Sequence, residues 1–343
     1  MMKHSVLFGL LAVALATSAT AQDGKQSATL SFKAFPKWSF VTPVQAWTPV
    51  TTDGIQVKHP NGESFAAERD GLKLSVDTTA NGKLNKDVKG AGGYLLLRSK
   101  GEDGKLFSYA VRLQGSSGGY KYASSGAMIG TVGGVPVTLI DLNNNGLYNE
   151  FGKDALIVGK GKSAGYLSSV ISHGGKLFDF EVSENGSEVS VTPFDGESGT
   201  VNGRSNFNAK GKLANAVISD STGKISFNLA ASKELLVPVG EYTITAGLIT
   251  KGSSSARIRQ GKMSPLRVEA DKVTKLKWGA KVTAEFTHAV DGKDVKIEPN
   301  AVHYYGAAGE EYYDFVPGAK SPKFLVYDKA SHKQLGKGIF GMC

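Results

Sequence analysis

Cysteine is almost absent from this chain of 343 residues; the single one is Cys343. That excludes an intramolecular disulfide framework, a multi-cysteine zinc site and a cysteine-ligated iron–sulfur cluster. Arginine is scarce as well: positions 69, 98, 112, 204, 257, 259 and 267 are the only seven among 40 basic residues. Nucleic-acid readers gather arginine and lysine on one element beside stacking aromatics; here the basic residues are dispersed, so no nucleic-acid partner is expected. Histidines 59, 173, 288, 303 and 332 stand apart, without the H-E-x-x-H or other zinc spacing. Amphipathic helical periodicity is missing, and no apolar run reaches the about 20 residues that a membrane helix requires. Charged residues make up 21% and hydrophobic ones 41%, a balance that argues against wholesale disorder.

The longest apolar run, Val6 to Ala16, follows Lys3 and precedes the small residues Ala19-Thr20-Ala21. This order is that of a secretory signal peptide, expected over 1–21 with cleavage before Gln22. The expected location is therefore secreted or periplasmic. A lipid anchor would need a cysteine just after the leader, and none is there. The mature charge of +8 sits on a lysine-rich surface that can attract anionic polymers mildly. Envelope polysaccharide or protein is the expected class of partner, and the mature chain is expected to have no transmembrane segment.

What the chain has in abundance is strand alternation and glycine. Phe107, Tyr109, Val111 and Leu113 alternate with smaller or polar residues, and the same period of two recurs at Leu72/Leu74/Val76, Val135/Val137/Leu139, Ile225/Phe227/Leu229, Tyr242/Ile244/Ala246 and Val282/Ala284/Phe286. Between these runs lie Asn61-Gly62, Asn81-Gly82, Asp103-Gly104, Asn185-Gly186 and Asp291-Gly292, pairs that close hairpins at low conformational cost. The pattern predicts an all-β protein of two or three antiparallel sandwich-like modules. Residues 74–85 align with 138–149 at an offset of 64, and 104–111 with 175–182 at an offset of 71, which predicts a turn-strand unit used twice. The expected division is a β-rich domain over 22–194, a sandwich-like module over 195–275 opening on a polar linker (195–210), and an Ig-like β module over 276–343. Pro238, Gly240 and Tyr242 within 237–245 resemble the turn-and-strand of carboxypeptidase-regulatory-like and collagen-adhesin B-type sandwiches.

One stretch carries metal chemistry. Asp141, Asn143, Asn145 and Gly146 stand in the spacing D-x-N-x-N-G, followed by Leu147, Glu150 and Asp154. The stretch resembles the half-loop of EF-hands, dockerins and other extracellular calcium repeats. The resemblance implies that Asp141, Asn143 and Asn145 supply side-chain oxygens and Leu147 its carbonyl, with Glu150 or Asp154 closing the site. Oxygen donors favour calcium over zinc or copper. The twelfth position, a bidentate acid in EF-hands, is Gly152, and the flanks read as strands rather than helices. With so little ligand charge, affinity is expected in the weak extracellular class, roughly 10⁻⁴–10⁻³ M. The competing reading is an Asn-rich turn that bonds its own backbone. The earlier loop Asp77–Asp87, with Asn81, Gly82 and Asn85, begins alike but lacks one ligand, and is expected to be such a turn.

Two further groups suggest other chemistry. Gly115 to Gly119 fits G-x-S-x-G, yet no helix follows to make a nucleophile elbow. His303 to Tyr305 and Glu310 to Asp314 combine aromatic rings with acids, as saccharide sites do, although alternating tyrosines also fill sandwich cores. The expected function is thus an exported calcium-binding β-sandwich with a structural or binding role and no catalytic residues. The alternative is a secreted hydrolase of polysaccharide using Glu310, Glu311 or Asp314, which would need two facing acids.

Overall fold

A computed structural model describes residues 24–44, 46–292, 294–297, 301–316 and 323–339. The expected leader, its cleavage point before Gln22, and Cys343 lie outside the described residues. The architecture is all-β, a set of largely antiparallel sheets, with a three-residue 3₁₀ segment at Arg204–Asn206. No helix is long and apolar enough to cross a membrane.

The first half repeats one order of six strands. In the first copy, Ala67–Asp70, Lys73–Val76 and Lys86–Lys89 form a three-stranded meander, followed by the meander Gly92–Lys100, Leu106–Ser116 and Gly119–Ser124. In the second, Gly126–Val132, Val135–Ile140 and Ala155–Val158 are followed by Val170–His173, Lys176–Val182 and Glu188–Pro193. The 64-residue offset carries Lys73–Val76 onto Val135–Ile140, and the 71-residue offset carries Leu106–Ser116 onto Lys176–Val182. The N-terminal segment completes both: Thr48–Pro49 pairs Gly119–Ser124, and Gln26–Thr29 pairs Glu188–Pro193. In each copy an Asp-initiated loop joins the second strand to the third, from Asp77 in one and from Asp141 in the other.

Alternation explains the packing. Tyr109, Val111 and Leu113 turn inward with Leu74, Val76, Leu95, Leu97, Val137, Leu139 and Phe180 into one core drawn from both copies. Each aliphatic side chain so buried contributes roughly 1.5–3 kcal/mol relative to exposure. The strand Val135–Ile140 is covered on its other face too, where Ile140 joins Ala155, Ile157 and Ala164 beneath Phe35, Trp38 and Phe40. The loop that follows is therefore anchored on a strand with no free face.

The second half is built on a large sheet in the order Ser226–Asn228, Lys212–Ser219, Gly240–Lys251, Ser254–Arg259, Glu311–Val316, His303–Tyr305, Thr283–Glu285. Because Ser254–Arg259 pairs with Glu311–Val316, the expected boundary at 276 is crossed by one hydrogen-bonded sheet. Trp278 and Tyr312 likewise share a core with Tyr242 and Ile258. Within the expected linker, Ser198–Asn202 is a strand that pairs Leu235–Pro238 antiparallel and Val273–Lys275 parallel. Tyr242 is buried, its hydroxyl donating to the Pro238 carbonyl at 3.0 Å.

Candidate metal loop

Ile140 pairs with Ala155, so residues 141–154 form the closed end of a hairpin. Asp141, the first residue past the strand, is fully buried and organises the turn. Its Oδ1 accepts the Asn144 N–H at 2.6 Å; its Oδ2 accepts the Gly146 N–H and the Tyr109 hydroxyl, both at 2.7 Å. Burial pushes the Asp141 carboxyl up to about 6, against the pull of these donors. Gly146 has φ +88°, and a Cβ there would lie 2.6 Å from the Lys58 carbonyl oxygen. Any side chain is thus excluded by both conformation and space. The Lys58 N–H in turn donates to the Asn145 carbonyl at 2.8 Å.

The remaining expected ligands meet around Glu150. Its Oε2 accepts the Nδ2 amides of Asn143 (2.8 Å) and Asn145 (2.5 Å), and its Oε1 accepts Lys153 Nζ at 2.7 Å. Burial opposes ionisation of Glu150, but the Lys153 ammonium and then the two amides outweigh it and hold the carboxyl below its ordinary value. Asn145 Oδ1 accepts the N–H of the half-buried Leu147 at 2.9 Å. Asp154 is buried, and its Oδ2 accepts the Glu150 N–H at 2.8 Å. Burial first, and then the charge of Asp141, push the Asp154 carboxyl up to about 8. Two oxygens stand out: Asp154 Oδ1 and Asn143 Oδ1 are both buried without a well-formed hydrogen bond, although the Leu142 N–H lies close enough to the Asp154 carboxyl to pull its pKa down slightly. A buried, unsatisfied carboxylate oxygen is costly and calls for a donor or a cation.

The structure therefore gathers Asn143, Asn145 and Glu150 into one bonded group and sets the buried Asp141 and Asp154 close enough for one charge to act on the other. Among the described residues no three His, Cys, Asp or Glu side chains gather as a metal-holding group. An ion in this loop would thus depend on amide and carbonyl oxygens as well. The donor set, all oxygen and including two atoms without a well-formed hydrogen bond, fits a hard cation. Sequence spacing passed over Asn144, which proves to be the loop's anchor. It is buried at φ +66°; its Oδ1 accepts the Ser124 N–H at 2.7 Å and its Nδ2 donates to Thr48 Oγ1 at 3.0 Å. A tolerance of positive φ is the one sequence signal for that role, and it is weak.

The loop from Asp77 shows what self-sufficiency looks like at the equivalent place. Asp77 Oδ1 accepts the Thr79 N–H and hydroxyl, and Oδ2 accepts the Gly82 N–H at 2.6 Å. Asn85 Oδ1 accepts the N–H and hydroxyl of Thr78. Burial works against ionisation of Asp77, yet the N–H groups of Thr79 and Gly82 prevail and lower its pKa. Asp87 is engaged by the Ser75 hydroxyl and Lys73.

The acids considered for hydrolysis are each occupied. Glu310 is fully buried and accepts the N–H groups of Gly279 and Ala308 and the Tyr312 hydroxyl. Glu311 takes a bidentate pair from Arg259, both contacts at 2.8 Å, and a third from His303; Arg259 foremost holds its carboxyl down at about 2. Asp314 pairs with Arg257. The rings beside them are covered too, with Lys262 Nζ 4.5 Å from the Tyr305 centroid and the Arg259 guanidinium 4.8 Å from that of Tyr313. Ser117, in the G-x-S-x-G stretch, lies in the turn between Leu106–Ser116 and Gly119–Ser124. Compared with known protein families, curated proteins and solved structures, the chain matches none.

Proposed function

We propose that this chain is an exported β-sandwich protein whose 141–154 loop binds calcium, in a structural or binding role at the cell envelope or outside the cell. The observation that carries the reading is that two buried oxygens of this loop, Asp154 Oδ1 and Asn143 Oδ1, have no well-formed hydrogen bond, while the charge of the buried Asp141 acts on Asp154. Asp141, Asn143, Asn145, Glu150 and Asp154, with the Leu147 carbonyl, are the oxygens that would hold the ion. A divalent cation would offset the mutual repulsion of the carboxylates and give Asp154 Oδ1 and Asn143 Oδ1 a close partner. The contrast with the fully bonded Asp77 loop supports assigning the ion to this copy alone. Export rests on the leader-like order from Lys3 to Ala21.

Thermal unfolding of residues 22–343 in EDTA and in about 10 mM calcium tests the reading. A dissociation constant of roughly 10⁻⁴–10⁻³ M gives about 1.4–2.7 kcal/mol of stabilisation at that concentration. Asp154→Asn is expected to lose most of the calcium-dependent rise in melting temperature and Asp77→Asn to keep it. A wild type that melts alike with and without calcium makes the loop a turn and ends the proposal.

A further inference from the structure

A second site lies away from the loop, where the two halves of the chain meet. Between the strands Ala155–Val158 and Val170–His173 on one side and Lys212–Ser219 and Leu235–Pro238 on the other is a cavity of about 620 Å³. That volume falls within the about 300–1,000 Å³ typical of small-molecule sites. Its wall is strongly one-signed. Lys160, Lys162, Arg204 and Lys212 line it, with Glu234 the one carboxylate among the described lining residues.

Some lysines elsewhere on this protein find acids, as in Lys25–Glu181, Lys58–Glu184 and Lys153–Glu150. None of the four cations at the cavity forms an ion pair with a described acid. Four like charges brought to one concavity against a single carboxylate, Glu234, raise the local potential and favour an anion there.

The placement of the charges narrows the ligand. They come from three segments of the chain, 160–162, 204 and 212, of which the first and third are neighbours through the Ser163 hydroxyl and the Ala214 carbonyl. A cavity of about 620 Å³ is far larger than a compact anion fills, whereas carboxylates carried on a ring scaffold fill it while meeting its basic residues. The half-buried Ser172 hydroxyl in the lining is suited to a sugar hydroxyl, and the half-buried Tyr166 supplies an aromatic wall. Gly159, Gly161, Gly174 and Gly175 leave backbone accessible at the rim. We propose that this cavity binds an acidic saccharide of one or two rings, its carboxylates held by Lys160, Lys162, Arg204 and Lys212. The inference is independent of the calcium reading.

Calorimetric titration of residues 22–343 in EDTA tests it, with digalacturonate, cellobiose and pyrophosphate as probes. Digalacturonate is expected to bind, cellobiose to give no saturable heat, and pyrophosphate to bind more weakly than digalacturonate. Arg204 and Lys212 are exposed, so Arg204→Ala/Lys212→Ala is expected to melt as the wild type does and to bind digalacturonate at least about 10-fold more weakly. Absence of digalacturonate binding overturns the proposal, as does equal affinity in a variant with wild-type melting. Equal binding of cellobiose removes the charge argument. Tighter binding of pyrophosphate than of digalacturonate makes this a compact-anion site and refutes the saccharide assignment. Should the double variant melt early, Lys160→Ala/Lys162→Ala takes its place with the same expected and refuting outcomes.

Discussion

Replacing Asp154 by asparagine should change how stability depends on pH, in a direction fixed by the surroundings of that side chain. In EDTA, the wild-type carboxyl is buried beside Asp141 and Glu150 and is pushed up to about 8. Its unfolded value is near the ordinary 3.8. The folded chain therefore holds this proton more tightly than the unfolded one. The stabilising contribution is fully present below about pH 4 and is lost as the pH rises towards about 8. A fully linked proton changes stability by about 1.4 kcal/mol per pH unit. Between about pH 5 and about pH 7.5 the upper bound on the loss is thus about 3 kcal/mol, and local relaxation reduces it to about 1–3 kcal/mol. Asparagine keeps an acceptor for the Glu150 N–H, puts an amide nitrogen in place of Oδ1, and carries no titrating charge. Urea midpoints of both proteins at several pH values in EDTA read the difference directly. The variant should gain about 1–3 kcal/mol on the wild type across that interval, and saturating calcium should flatten the wild-type slope, because the ion binds the ionised form. Parallel pH profiles in EDTA would refute the electrostatic account of Asp154.

Other perturbations probe separate contacts. Gly146→Ala forces a Cβ to within 2.6 Å of the Lys58 carbonyl at φ +88°, and a loss of about 2–4 kcal/mol in urea unfolding is expected. Tyr109→Phe removes the hydroxyl that donates to Asp141 Oδ2; the expected cost is about 1–3 kcal/mol and is larger above about pH 6, where the carboxylate carries its charge. Glu311→Gln weakens the contacts to Arg259 and His303 by about 1–3 kcal/mol at neutral pH. Because the folded carboxyl sits at about 2, below its ordinary value, that difference should persist above about pH 4.5 and fade as the pH falls towards about 2.

The all-β character was legible because strands follow alternation: Tyr109, Val111 and Leu113 point inward as their spacing predicts, whereas Leu72, Val282 and Phe286 of other alternating runs are exposed. Asparagine–glycine and aspartate–glycine turns were legible for the same local reason, and Gly82, Gly104 and Gly186 all take positive φ. The internal repeat could be seen where it preserves local turns, at 74–85 and 138–149. Its completion by N-terminal strands could not, since Gln26 pairs with Val191 across 165 positions and nothing in a short polar strand names its partner. Non-local pairing also explains why the division expected at 276 falls inside a sheet. In the loop, ligand spacing drew attention to Asp141, Asn143 and Asn145, while Asn144 gained its role only because folding brought Ser124 and Thr48 beside it. The acids at 310, 311 and 314 stood together in the sequence, but Arg259, Gly279 and Arg257, which engage them, are remote along the chain.

The central claim, that the 141–154 loop takes up calcium, is tested most directly by calorimetric titration of EDTA-stripped residues 22–343 with calcium, in two buffers of different ionisation enthalpy. Binding of about one ion with a dissociation constant of roughly 10⁻⁴–10⁻³ M is expected. The heat should differ between buffers because a carboxyl held at about 8 must surrender its proton to the incoming ion. Asp154→Asn should bind at least about 10-fold more weakly, and Asp77→Asn as the wild type does. No saturable calcium heat up to about 10 mM, or undiminished binding by Asp154→Asn, would contradict the account.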